Sequence, residues 1–291
     1  GYHAIDVDSI STPSLNANQA LDVRSGSRVL QETDFFHTKV GAISEISVSG
    51  TATTGALDML LENIIGEVET SASGVYSFLS NASAQSVGSG ATGQAGTLLS
   101  LTMISPITDM DIGFKDCVVS GDMGTEGGRI KFSATFKSGS AVDATQVTSV
   151  GAVDTAFTAA TENYTMNSWV ADYRQLVGVA DVVMSSFTLN LSNDANFVGL
   201  VSTGYEVIAR AGEFSATLDS TIKYDDKCQA FFENYLDQVT GTTEGVTKLN
   251  HQDALANANF GISMPKSVLT NVAFNEQAMM MLDVSIKALG A

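Results

Sequence analysis

Positive charge is what this chain has least of. Its 291 residues carry 14 Lys and Arg against 32 Asp and Glu, a formal net charge of −18. A surface of that sign does not attract nucleic acid, and it repels a polyanion brought close to it. Proline is almost missing: Pro13, Pro106 and Pro265 are the three, so extended strands can run without losing ladder donors. The two cysteines, Cys117 and Cys228, fall in unrelated places and read as small buried thiols in a reducing compartment, not as a disulfide. No apolar run approaches the length of a membrane span, and no basic-then-apolar leader stands at the start. The expectation is a soluble chain with no membrane partner and no export signal of its own.

Local catalytic signatures are missing too. His3, His37 and His251 share no spacing with one another or with either cysteine, and a lone histidine is far more often structural or exposed than a ligand. Gly88–Gly93 formally matches G-x-G-x-x-G, but a Ser/Ala-rich stretch precedes it and a strand-like run follows, so it reads as a loop. Asp225-Asp226 and Asp109/Asp111 lack the spacing of a calcium loop and read as a helix cap and solvated strand ends. Met279-Met280-Met281 reads as packing of a terminal strand. The chain is therefore expected to be no enzyme, with no catalytic residues, no cofactor and no metal.

What is present is an apparent repeat. Hydrophobic residues make up 44% of the chain, normal for a globular protein. Ile112–Phe136 can be laid without a gap over Ile262–Ile286, so that Ile130, Phe132, Ala134 and Phe136 fall on Met280, Leu282, Val284 and Ile286, and Lys137 on Lys287. Upstream, Asp58–Ile65 matches Gln229–Leu236, both with helical apolar spacing. A repeat of this size implies two similar domains. The boundaries read as 1–138 for the first, with 70–96 a Ser/Ala/Gly-rich excursion, 139–182 for a linker or insertion, and 183–291 for the second.

Period-2 alternation marks strands at 40–52, 97–104, 111–120, 129–137, 186–191, 213–222 and 279–288. Gly121–Gly128 reads as a glycine-rich connection and Ser192–Gly204 as a polar loop. Helices are expected at 55–65, on the stripe Leu57, Leu60, Leu61 and Ile64, and at 227–239, opened by Asp225-Asp226. The fold class is mainly β.

The run SSFTLNLSNDANFVGL…GYEVIARAGEFSATLDSTIKYDDKCQAFFENYL, within Ser185–Val239, resembles the tube-forming domain of major tail proteins of long-tailed bacteriophages. GAISEISVSGTATTGALDMLLENII resembles it more loosely. The resemblance implies β-sandwich or barrel units, each flanked by a helix, in two tandem copies. It implies a structural virion protein, made in the bacterial cytoplasm, whose rings stack into a hollow tail tube for genome ejection. A duplicated member would close its ring as a homotrimer with pseudo-sixfold symmetry. Its partners would be further copies and the tape measure, tail tip and terminator proteins, with DNA passing through the lumen unbound.

An acidic wall suits such a conduit, because DNA carries one charge per about 1.7 Å of axis and repulsion acts within roughly 8 Å at physiological salt. Strand parity nominates Glu45, Glu213 and Asp219 as channel-lining residues, although the same faces can equally point outward or to a neighbour. Ser25–His37 and Ser192–Gly204 are the candidates for contact between stacked rings. The competing readings are another tube or surface-layer module, and a ligand-binding β-sandwich. A secretion tube normally uses one domain per chain, a surface layer normally carries an export signal, and a ligand site needs convergent polar groups.

Overall fold

The structure, a computed structural model, describes residues 7–11, 18–21, 35–38, 43–53, 56–57, 60–61, 64, 68–70, 76–78, 99–103, 112–139, 164, 174–192, 195–201, 204–210, 215–237, 244–252, 259–276 and 280–289. It is mainly β. In chain order the strands are β1 (Ser9–Ile10), β2 (Asn18–Leu21), β3 (Phe35–Thr38), β4 (Ser44–Thr51), β5 (Val68–Thr70), β6 (Tyr76–Phe78), β7 (Leu99–Met103), β8 (Ile112–Glu126) and β9 (Arg129–Ser138). There follow β10 (Gln175–Leu176), β11 (Val179–Ala180), β12 (Met184–Ser192), β13 (Ala195–Val201), β14 (Gly204–Arg210), β15 (Ser215–Lys223), β16 (Gly245–Gln252), β17 (Asn259–Glu276) and β18 (Met280–Ala288).

Twelve of these strands form one open antiparallel sheet in the order β1-β4-β9-β8-β12-β15-β18-β17-β16-β10-β11, with β7 also paired to β8. Where separate sandwiches or barrels were expected, these twelve strands share a single sheet, and β2–β3, β5–β6 and β13–β14 form separate two-stranded sheets. Alternation explains its two faces. Ile46 and Val48, Phe132 and Phe136, Leu189 and Leu191, and Leu218 and Ile222 are buried on one side, while the polar residues between them face the other way. Each such side chain removed from water contributes about 1.5–3 kcal/mol, so the pattern fixes which face turns inward.

Helices cover the apolar face. Ala56, Leu57, Leu60, Leu61 and Ile64 are helical and buried, which matches the apolar stripe read from the sequence. The helix Cys228–Asp237 packs on β17 through buried Phe231 and half-buried Phe232. It starts one residue later than expected. The Asp225 carboxylate accepts the Lys227 amide at 3.1 Å, and the Asp225 carbonyl accepts the Cys228 amide at 3.0 Å, so Asp225 caps the helix from outside it.

The pairing order repeats. In the first half β1, β4, β9, β8 and β7 lie side by side, with the helical residues following β4. In the second half β12, β15, β18, β17 and β16 do so, with the helix following β15. A separate hairpin intervenes at the same point of each, β2–β3 between β1 and β4, and β13–β14 between β12 and β15. Cys117↔Ser138 in β8–β9 and Ser267↔Ala288 in β17–β18 are the same pair under the sequence overlay. The overlay then slips by one residue, because a bulge in β17 between Leu269 and Asn271 moves the register.

Two sequence readings change. Gly121–Glu126 is strand, not connection: β8 runs to Glu126 and turns at Gly127–Gly128, both at positive φ, into β9. Within Ser192–Gly204, residues 195–201 pair with β14 instead of looping. The segment 139–182, read as linker or insertion, includes β10 and β11, which fold onto β16, and buried Tyr164, whose carbonyl accepts the Ile130 amide at 2.9 Å. Most of 70–96, with Ser25–Asp34, lies outside the described residues.

Candidate assembly seam and polar sheet face

The two halves meet edge to edge where β12 pairs with β8: Thr188↔Gly124, Leu189↔Met123, Asn190↔Asp122 and Leu191↔Gly121. β8 reaches this seam because it is long. Its first half pairs with β7, its second half with β12, and β9 pairs with it from Cys117 to Glu126. Thr125 closes the seam. Its hydroxyl accepts the Phe187 amide at 3.1 Å and donates to the Phe187 carbonyl at 3.4 Å. Behind the seam, Leu191 lies with Leu57, Leu60, Leu61, Met123 and Phe132 around a depression with barely room for a water. That space suits packing and not a small ligand.

The other side of the sheet is a continuous polar face running across both halves. One cross-strand row reads Ser49, Ser133, Asp122, Asn190, Thr217 and Lys287. Glu45 and Asp219 both lie on this face and both are exposed. Three strands, β9, β8 and β12, separate the strands that carry them, so the structure places them on one surface without bringing them together. Glu213 lies outside the described residues.

Parity along the strands also puts Asp122, Glu126 and Asp283 on this face, and with them Arg129, Lys131, Lys137, Lys223 and Lys287. Sequence reading nominated the acids and overlooked the cations beside them. Glu45 stands directly across from Lys137, and Lys131 lies 3.1 Å from Asp8 and 3.6 Å from Glu126. Those carboxylates raise the Lys131 pKa, Asp8 most strongly. Exposed pairs of this kind add little stability, but they leave the face balanced in sign where net acidity was expected. Asp122 differs, because partial burial pushes its carboxyl up while a hydrogen bond with Ser133 works the other way.

The chemistry available here is that of a wall. Hydroxyls dominate between the charges, as in Ser47 Oγ and Thr135 Oγ1 at 2.8 Å, and Thr221 donating to Asp283 at 2.7 Å. Among the described residues no group of three or more His, Cys, Asp or Glu is placed to hold a metal ion, and no helix is long and apolar enough to cross a membrane. Cys117 and Cys228 are buried and unpaired with each other; the Cys228 thiol donates to the Lys223 carbonyl at 3.0 Å, and burial raises its pKa. No family model matches this chain, and no curated protein matches its sequence.

Proposed function

We propose that this chain is a structural protein whose copies assemble into stacked rings forming a hollow tube, a conduit for DNA like the tail tube of a long-tailed phage. The observation that carries this reading is the repeated strand order, with its two halves already joined edge to edge by β8 and β12. A chain built of two like units joined head to tail carries the geometry of a ring that three chains close with pseudo-sixfold symmetry. The domains are then two tandem tube-like units, the partners are other copies and the remaining tail proteins, and the setting is the virion. Catalysis has no part in it.

The polar sheet face is the wall in this reading. Sliding DNA needs a surface that offers no run of phosphate contacts, since each neutralised phosphate adds affinity. A hydroxyl-rich face with its cations interleaved among carboxylates meets that need. The chain's wider acidity, −18 in all, adds long-range repulsion. Glu45, Glu213 and Asp219 are the acids proposed to face the lumen.

Negative-stain electron microscopy of the purified chain, with class averages down the tube axis, tests this directly. Hollow rings of three chains are expected. A compact monomer at every concentration would overturn the reading. On tubes, Glu45→Lys with Asp219→Lys turns a balanced face cationic, and DNA passage slows while assembly persists. Unchanged passage would remove these residues from the wall.

A further inference from the structure

The internal seam has a missing counterpart. Beyond Ser267, β17 pairs with β18 on one side and, among the described residues, with no strand on the other. The matching stretch of β8 is the one that β12 occupies. At the far end of the sheet β1 pairs, among the described residues, with β4 alone, in the place where β12 pairs with β15. β1 and β12 hold equivalent places in the two halves, so one chain presents both an unfilled groove edge and the strand that fits it.

Cross-strand register sets the equivalence residue by residue. Glu45↔Lys137 and Thr217↔Lys287 make Val48 the counterpart of Ser220, so Ile10, opposite Val48, corresponds to Phe187, opposite Ser220. Met123↔Phe132 and Phe274↔Leu282 make Phe274 the counterpart of Met123, and Met280 that of Ile130. In the internal seam Phe187 and Met123 are 1% and 4% exposed, and Ile130, on β9 beside it, is 0% exposed. Their counterparts Ile10, Phe274 and Met280 are 48%, 53% and 57% exposed. Two apolar side chains, Ile10 and Phe274, thus stand in water at the positions the seam buries, with Met280 beside them. Phe274 stacks against Phe232, ring centroids 4.7 Å apart, and Tyr224, 5.5 Å, extending the uncovered patch.

Resting on the assembly reading above, we infer that the open edge of β17 at 274–276 is the docking site for β1 and Ser11 of a second copy, paired antiparallel as β12 pairs with β8. Ile10 of the incoming copy enters beside β17 as Phe187 enters beside β8. Thr188↔Gly124 translates to Ser11 of one copy opposite Asn275 of the next. The contact is heterologous, because the two participating surfaces differ, so it propagates around a ring and closes only where the rotation allows. It also covers two open sheet edges, each a site for mispairing.

The test uses the full chain with Ser11→Cys and Asn275→Cys together. Under mild oxidation, disulfide-linked dimers and trimers are expected on non-reducing gels, and neither single variant should form them; the native thiols are buried and do not compete. In the wild type, amide exchange at 8–11 and 274–276 should slow at least tenfold between dilute monomer and assembled protein. Rings that form with no cross-link and no added protection would overturn the docking site and leave the assembly reading standing. A wild-type chain that stays monomeric would sink both. A double variant that fails to assemble leaves the wild-type exchange measurement to decide.

Discussion

Leu189 and Met123 face each other directly across the pairing of β12 with β8, and both side chains are buried. They join two halves whose strand orders match, so their packing belongs to neither half alone. Leu189→Ala should lower stability by about 2–5 kcal/mol, the range for emptying a buried leucine site. Urea denaturation followed by circular dichroism measures it. A change under about 0.5 kcal/mol, the level of ordinary surface substitutions, would show that the seam is not part of the core.

Gly245 admits no side chain. A Cβ built there would lie 2.4 Å from the Val177 carbonyl carbon, in the turn between β10 and β11. That turn is pinned from the same side, since the Val177 amide donates to Thr247 Oγ1 at 3.0 Å and Thr247 Oγ1 lies 2.8 Å from Ser267 Oγ. Gly245→Ala should cost roughly 1–3 kcal/mol, as overpacking does, and should speed amide exchange at Val177 and Gly178. Unaltered exchange would mean that the hairpin yields without losing its hold.

The strands that alternate were legible from the residues alone. Ile46 and Val48, Phe187 and Leu189, and Leu218 and Ile222 each announced a buried face, and the stripe Leu57, Leu60, Leu61 and Ile64 announced a helix. The second half of β8 was not legible, because Gly121, Gly124 and their polar neighbours imitate turn chemistry. In the fold Gly124 is a point of close approach, where a Cβ would stand 2.6 Å from the Phe187 carbonyl oxygen. Glycine inside a strand signals such an approach as often as a turn. Periodicity also tells which face of β12 is buried, but not that its edge belongs to β8. Nor did it show the cations opposite Glu45, because pairing across strands depends on register.

Asp225 caps the helix Cys228–Asp237 through its carboxylate, which accepts the Lys227 amide. Asp225→Ala should cost about 1 kcal/mol, and Asp225→Ser should recover most of it, as caps of this type do. Thermal unfolding of the two variants distinguishes a cap from a merely acidic surface site, at which serine would rescue nothing.

Asp122 carries a pH signature. Its folded pKa lies above the ordinary value of 3.8, chiefly through burial. The folded chain therefore holds that proton more tightly than the unfolded chain. Stability from this group is full at acid pH, is lost as pH climbs through the interval above 3.8, and stays reduced beyond it. Asp122→Asn keeps an acceptor for Ser133 and should raise the melting temperature at neutral pH, with the gain fading in acid. An equal gain at both pH values would assign the effect to something other than ionisation.

β10 and β11 are two residues each, and β10 meets β16 only at Gln175 with Lys248. Val177 at φ 44° and Gly178 at φ 86° fold the pair back on itself at once. An incoming peptide needs several consecutive donors and acceptors to zip onto an edge. This rim supplies too few in line, so the hairpin acts as an insulator and amyloid-like growth is starved of a template there. The outer rim of β16 is thereby capped by the chain's own sequence at Val246 and Lys248.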